Sequence, residues 1–437
     1  MSHPPHAAAG ERLIRAVGTW ALAASIVNVT IGGGIFRLPA GVYATLGRGS
    51  PAAYVVCAVV IGLIVVCFAE AGSRVSQTGG LYAYIEVGFG PLVGFVAGVL
   101  LWVGMTSALS AVAVFFADAF GALVPSLSSH AMKNVLISAV LLVFAALNVR
   151  GVANATRFNV VMTFAKLAPL ALVIIVGLAA LHAERLALTV PQPGPLARGS
   201  VFLMFAFLGV ESALVPSGEV KDPSRTIPRA IAIAMIGVVI VYLAVQLVAQ
   251  SALGNALGAS ATPVADAAGV LLGPWGRTFI LVGSTISMFG YVSGMTLAVP
   301  RILYAFGRDG FLPQAMGAVH ERFRTPHVAI VVQVIITIAL AVTGTFERLA
   351  IVSNSTILLV YAACALSVFE LRRKNVRLQT EPFVAPFGPT IPALACLAIL
   401  WLTTSLTRAE WLAVLLPIVV AVLVYFTSRE RRAGLAR

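Results

Sequence analysis

The sequence predicts an all-α integral membrane protein of twelve transmembrane helices, and three observations carry that expectation. The 437 residues are 59% hydrophobic and 10% charged, with a mean hydropathy of +0.99, too apolar for a water-soluble globule. Apolar runs of about 18 to 25 residues recur along the whole length, which is what a helix needs to cross a bilayer. The connections between runs are short, so no soluble domain is expected.

The expected spans, in order, are 17–43, 52–70, 87–117, 134–149, 158–182, 201–217, 230–252, 277–305, 327–345, 349–370, 389–406 and 411–427. An even number puts both termini on one side. The polar start MSHPPHAAAGERLIR has no small-residue cleavage site after the first apolar run, so that run is read as a retained span. The longest polar stretches are the loop 183–200 and the segment 306–326, and the moderately apolar segment 253–276 is expected to carry a short helix over the outer face.

Basic residues orient the bundle. Most of the 29 lysines and arginines fall on the side of the termini, as in "ELRRKNVR" and "SRERRAGLAR". Arg37, Arg48, Lys133, Arg185, Arg198, Arg277, Arg348 and Arg408 fall on the other, and Lys166 lies within a span. Both ends are therefore expected in the cytoplasm, in the cytoplasmic (inner) membrane. The net charge of +13 follows from this asymmetry and from anionic headgroups, without any nucleic-acid partner.

The remaining chemistry speaks against an enzyme. Cys57, Cys67, Cys364 and Cys396 all lie within spans, so no extracellular disulfide framework is implied. The six histidines fall in tails, loops or span ends, and no metal-ligand spacing or nucleophile–base set occurs at membrane depth. Neither a cofactor nor a metal is expected.

One stretch breaks the helical pattern. "TIGGGIFRLP" (30–39) places three glycines inside the first span. Non-helical backbone is tolerated at that depth only where it is buried in protein or lines a watery cavity. A packing face of small residues is a poor alternative, because adjacent helical residues point about 100° apart. The sixth span, "FLMFAFLGVESALVPSGEV" (202–220), is interrupted in the same way by Gly209, Pro216 and Gly218, with the ionisable Glu211 between them. Two broken helices in corresponding positions of two five-helix halves point to an inverted-repeat transporter with its substrate at the membrane midplane.

Together, "IGGGIF", "SRVSQTGGLYAYIEVGFGP" (a loop at 73–91), "FAFLGVESALVPSGEVKDPSRTIPRAI" (205–231) and "PRILYAFGRDGFLP" (300–313) resemble the amino acid/polyamine/organocation (APC) transporters, in order and spacing from the first span to the tenth. The resemblance implies a LeuT-type fold. Residues 1–16 would be a cytoplasmic tail, 17–182 and 200–370 the two five-helix repeats, 389–427 two further helices, and 428–437 a second tail.

The same residues suggest the site physically. Amides of Gly32, Gly33 and Gly34 at a half-helix N-terminus suit a carboxylate. Carbonyls near Val29 and from Phe205 through Phe207 to Leu208, with Ile31 and Gly209 beside them, suit an ammonium, so one zwitterionic amino acid satisfies both ends. Apart from Glu211, nothing acidic is available at depth. A neutral, preferably apolar, amino acid is therefore expected ahead of arginine or a polyamine. Glu211 itself reads either as a functional carboxylate or as a brace for the sixth span.

In sodium-driven relatives an ion bridges the first, fifth and eighth spans. The resemblance implies that a fifth-span lysine replaces it in proton-coupled or exchanging members, and Lys166 occupies that position, about 12 Å along its helix from Phe158. The alternative is a lysine snorkelling to the interface. Tyr291, with Ser293 close by, stands at the position of its eighth-span partner. The segments "GEVKDPSRTIPRA" and "FGRDGFLP" read equally as parts that move and as topology anchors. A transport-dead receptor or subunit with the same fold is the rival reading from another class.

Overall fold

The computed structural model describes residues 18–75, 81–150, 155–186, 189–210, 223–377, 381–429 and 432. Its helices are α1 Thr19–Thr30, α2 Leu38–Leu46, α3 Ser50–Arg74, α4 Leu81–Phe89, α5 Pro91–Leu123, α6 His130–Arg150, α7 Ala155–Ala179 and α8 Pro193–Leu203. They continue with α9 Pro223–Leu253, α10 Pro263–Leu272, α11 Pro274–Ala298, α12 Pro300–Arg308, α13 His327–Thr343, α14 Phe346–Arg373, α15 Thr390–Thr403 and α16 Arg408–Thr427. Among the described residues, seven helical segments are long and apolar enough to cross a membrane.

Local chemistry sets many of the boundaries. Helices α5, α8, α10, α11 and α12 open on a proline, where the missing N–H costs nothing because the first amides of a helix have no partner within it. Thr407 and Glu410 form a reciprocal capping box at the head of α16. The Glu410 carboxylate also accepts two hydrogen bonds from Arg198, at 2.6 and 2.7 Å, which ties α16 to α8.

The bundle interior is built on α5, which packs along α14 and α11, while α7 lies on α11, α6 on α13, α3 on α9, α1 on α9 and α8 on α3. Small residues permit these approaches. A Cβ at Gly104 of α5 would come within 2.6 Å of Ile357 on α14. Several buried polar groups are paired across helices, as hydrocarbon favours: Gln333 of α13 accepts from Trp102 Nε1 at 2.7 Å and donates to Thr106 at 3.0 Å, and Tyr54 donates to Gln246 at 3.0 Å.

Three sequence expectations are refined. The stretch 183–200 is not all loop: α8 begins at Pro193, because Ala197 and Ser200 are fully buried and helix formation pairs their backbone. The stretch 73–91 contains the short helix α4, whose Leu81, Tyr84 and Ile85 are buried. Segment 253–276 does carry a short helix, α10, preceded by the 3-10 turn Gly254–Ala259.

Candidate substrate site

The first span breaks where the glycines stand. Helix α1 ends at Thr30, Ile31 leaves helical geometry with ψ 80°, and the chain restarts as the 3-10 turn Gly34–Phe36 before α2. The Gly32 N–H folds back onto the Thr30 carbonyl at 2.8 Å, while Gly33 and Gly34 lead into the turn, where leading amides have no partner within the helix. The sixth span breaks likewise. Helix α8 tightens into the 3-10 turn Met204–Phe207, Leu208 turns extended with ψ 145°, and Gly209 takes φ +106°, a conformation open only to glycine without strain.

Between the two breaks lies a cavity of about 100 Å³. Seven of the residues expected at the site line it: Gly32, Gly33, Gly34, Phe205, Leu208, Gly209 and Tyr291. Met105, Ala108 and Val112 of α5, Met295 of α11 and Ile357 of α14 supply further apolar walls. Among the described residues no charged side chain lines the cavity. Glycine is needed at the wall itself, since a Cβ at Gly33 would fall 2.7 Å from Met288 and one at Gly34 3.1 Å from Phe205.

Other expected residues sit elsewhere. Ile31 and Phe207 are buried behind the cavity, and Ser293 is half-buried and does not line it. Val29 and Lys166 lie on the backbones of α1 and α7, their side chains outside the described residues, as is all of Glu211. Helix α7, which carries Lys166, packs on α11, which carries Tyr291.

Three participants were not read from the sequence. The Tyr242 hydroxyl of α9, fully buried, stands 2.7 Å from the carbonyl of Thr30 and 2.7 Å from that of Ala206, so one side chain bridges the two breaks. Its carbonyl partners fall in the stretch expected to face an ammonium. Thr30 lines the cavity, and its buried hydroxyl has no hydrogen-bond partner among the described residues, leaving a polar group for a ligand. Thr30 heads the glycine stretch and was legible there; nothing in "VIVYLAVQ" distinguishes Tyr242 from core. The third is Arg37, just past the break, which pairs with Glu347 at the head of α14 at 2.8 Å. Phe205 of the cavity wall packs edge-on against Phe346, the residue before Glu347, so the ion pair neighbours an aromatic contact of that wall.

A larger groove, about 400 Å³, runs between α3 and α9, but apolar side chains line it and Ile236 and Ile240 at its edge are exposed. It offers no group that could orient a polar solute.

Comparison with known proteins settles the class. The family model for amino acid permeases matches residues 17–430. The chain belongs to the amino acid permease family. The resemblance to APC transporters is thus confirmed, and the permease is a multi-pass membrane transporter, not an enzyme. It is 28% identical to the methylthioribose transporter of Bacillus subtilis, over 97% of this chain and 95% of that one. It is 27% identical to the serine/threonine exchanger SteT of the same organism, over 94% and 95%. The branched-chain amino acid permease BcaP of Lactococcus lactis is 27% identical, over 93% and 92%.

Proposed function

We propose that this permease is a secondary transporter that carries a neutral, apolar amino acid across the cytoplasmic membrane by alternating access, coupled to protons or to exchange rather than to sodium. The observation that carries the substrate class is the cavity itself. Backbone at two helix breaks faces a small chamber whose described side chains are apolar or hydroxylic, so a zwitterion finds dipoles for its two charged ends and nothing to balance a third charge. The names of the serine/threonine exchanger and the branched-chain permease agree with a neutral substrate.

The packing supports two five-helix repeats. The pairs α5–α14 and α7–α11 exchange when each span is advanced by five, as do α1–α9 and α3–α8, and the pairs α3–α9, α6–α13 and α5–α11 map onto themselves. In this reading Lys166 supplies from α7 the cation that sodium provides in ion-driven relatives, with Tyr291 opposite. Opening one side of the cavity requires Arg37 and Glu347 to part and Phe205 to leave Phe346.

Purified protein in liposomes tests this. Uptake of labelled leucine should saturate, persist at full rate when sodium is replaced by potassium, and fall to background for Lys166→Ala. Unlabelled neutral amino acids should compete and arginine or putrescine should not. Strict sodium dependence would remove the role given to Lys166, and preferential competition by arginine would overturn the substrate class.

A further inference from the structure

A second chamber, with a polar lining, lies beside Arg37, just past the first glycine break. About 280 Å³ in volume, it is enclosed by the ends of α5, α6, α13 and α14 beside Arg37. Two ion pairs line it: Lys133 Nζ to Asp118 Oδ1 at 2.7 Å, and Arg37 Nη2 to Glu347 Oε1 at 2.8 Å. His130 and Asn134, within 3.3 Å of each other on the first turns of α6, complete its polar wall. Among the described residues its charges therefore balance, with two cations against two anions and a histidine. A simple anion gains little net attraction from such a set. A ligand with both a phosphate and an ammonium matches both halves.

The chamber is not isolated. Asn134 and Val342 also line an open apolar groove of about 630 Å³ that runs between α6 and α13. Small residues, Ser138 and Ala139 on α6 and Ala339 on α13, line it together with the larger Leu142 and Ile338. From Asn134 to Leu142 the groove follows α6 for about 12 Å. Its rim faces the bundle exterior, where Val135 and Leu142 are more than half exposed. The polar chamber stands at helix termini, and the groove runs from there along the exposed faces of α6 and α13.

We infer that the polar chamber and the α6–α13 groove together form a binding site for a single zwitterionic phospholipid of the phosphatidylethanolamine class. The phosphate lies toward Lys133, Asn134 and the N-terminus of α6, which favours an anion. The ammonium lies toward Asp118 and Glu347, which accept hydrogen bonds from it, and one acyl chain occupies the groove. A lipid explains what neither cavity explains alone: a charge-balanced polar pocket that shares Asn134 and Val342 with an exposed apolar groove.

Native mass spectrometry of the detergent-purified protein tests the site, with dioleoyl phosphatidylethanolamine, phosphatidylcholine and phosphatidylglycerol added separately. One phosphatidylethanolamine should be retained about fivefold better than phosphatidylglycerol, the scale of one unmatched, partly exposed charge. Phosphatidylcholine, whose ammonium has no N–H to donate, should fall between them. Ala139→Phe, which fills the groove from an exposed face, should remove the preference, and the exchanged pair Asp118→Lys with Lys133→Asp should weaken it while keeping an ion pair. Thermal unfolding confirms that each variant is folded. Equal retention of the three lipids, or a preference unchanged by Ala139→Phe, overturns the inference. So does displacement of the retained lipid by free leucine, which would make the chamber a second amino-acid site.

Discussion

A single hydroxyl joins the two helix breaks. Tyr242 offers one proton to two carbonyls at 2.7 Å each, and its ring packs edge-on against Phe207 at 5.3 Å. Removing the oxygen keeps the ring and leaves two buried carbonyls with poorer partners. Tyr242→Phe should therefore lower stability by about 1–2 kcal/mol, read as a depressed melting temperature in detergent. It should also raise the KM for uptake, because the unwound segments lose their mutual reference. An unchanged melting temperature and KM would mean that the hydroxyl does not position them. Much of this site was legible at residue level, since three successive glycines cannot be explained by helix packing. The tyrosine was not, because a buried tyrosine on a helix reads like any core aromatic until its hydroxyl is placed in space.

Ion pairs hold whole elements together at the other end of the bundle. Glu70, near the end of α3 and fully buried, accepts hydrogen bonds from Arg74 at 2.9 and 3.1 Å, from Arg372 of α14 at 2.6 and 2.7 Å, and from the Ala385 amide at 2.8 Å. One carboxylate thus binds α3, α14 and the segment that leads to α15. Glu70→Ala would strand Arg74, itself only 6% exposed, without its counter-charge. Loss of one partner of such a buried set costs about 3–5 kcal/mol, so this variant should unfold far below the wild type in a thermal scan, and Glu70→Gln should lose less. In the segment "FGRDGFLP", Phe311 stacks on Phe95 at 4.0 Å, and the Arg432 guanidinium lies 4.8 Å from the Phe311 ring. Sequence showed the charges and aromatics of these elements but not their distant partners, such as Arg372, 302 positions from Glu70.

For the whole molecule, the distribution of basic residues makes a prediction about sidedness. Val190, in the connection before α8, is 98% exposed, whereas Cys57, Cys67 and Cys364 are buried and Cys396 is half-buried. In intact cells a membrane-impermeant maleimide should label Val190→Cys strongly over the wild-type background, and a fluorescent protein fused to the C-terminus should fold in the cytoplasm. Labelling only after lysis would invert the topology. What the sequence determined by itself was the solvent and the architecture class. A mean hydropathy of +0.99 admits few soluble folds, and the adjacent glycines at 32–34 mark where a helix stops. Which groups meet was settled by folding in three dimensions. The cavity's size and its apolar walls, the Tyr242 bridge and the balanced chamber beside α6 depend on contacts between distant helices, and those follow from three-dimensional packing that no local pattern encodes.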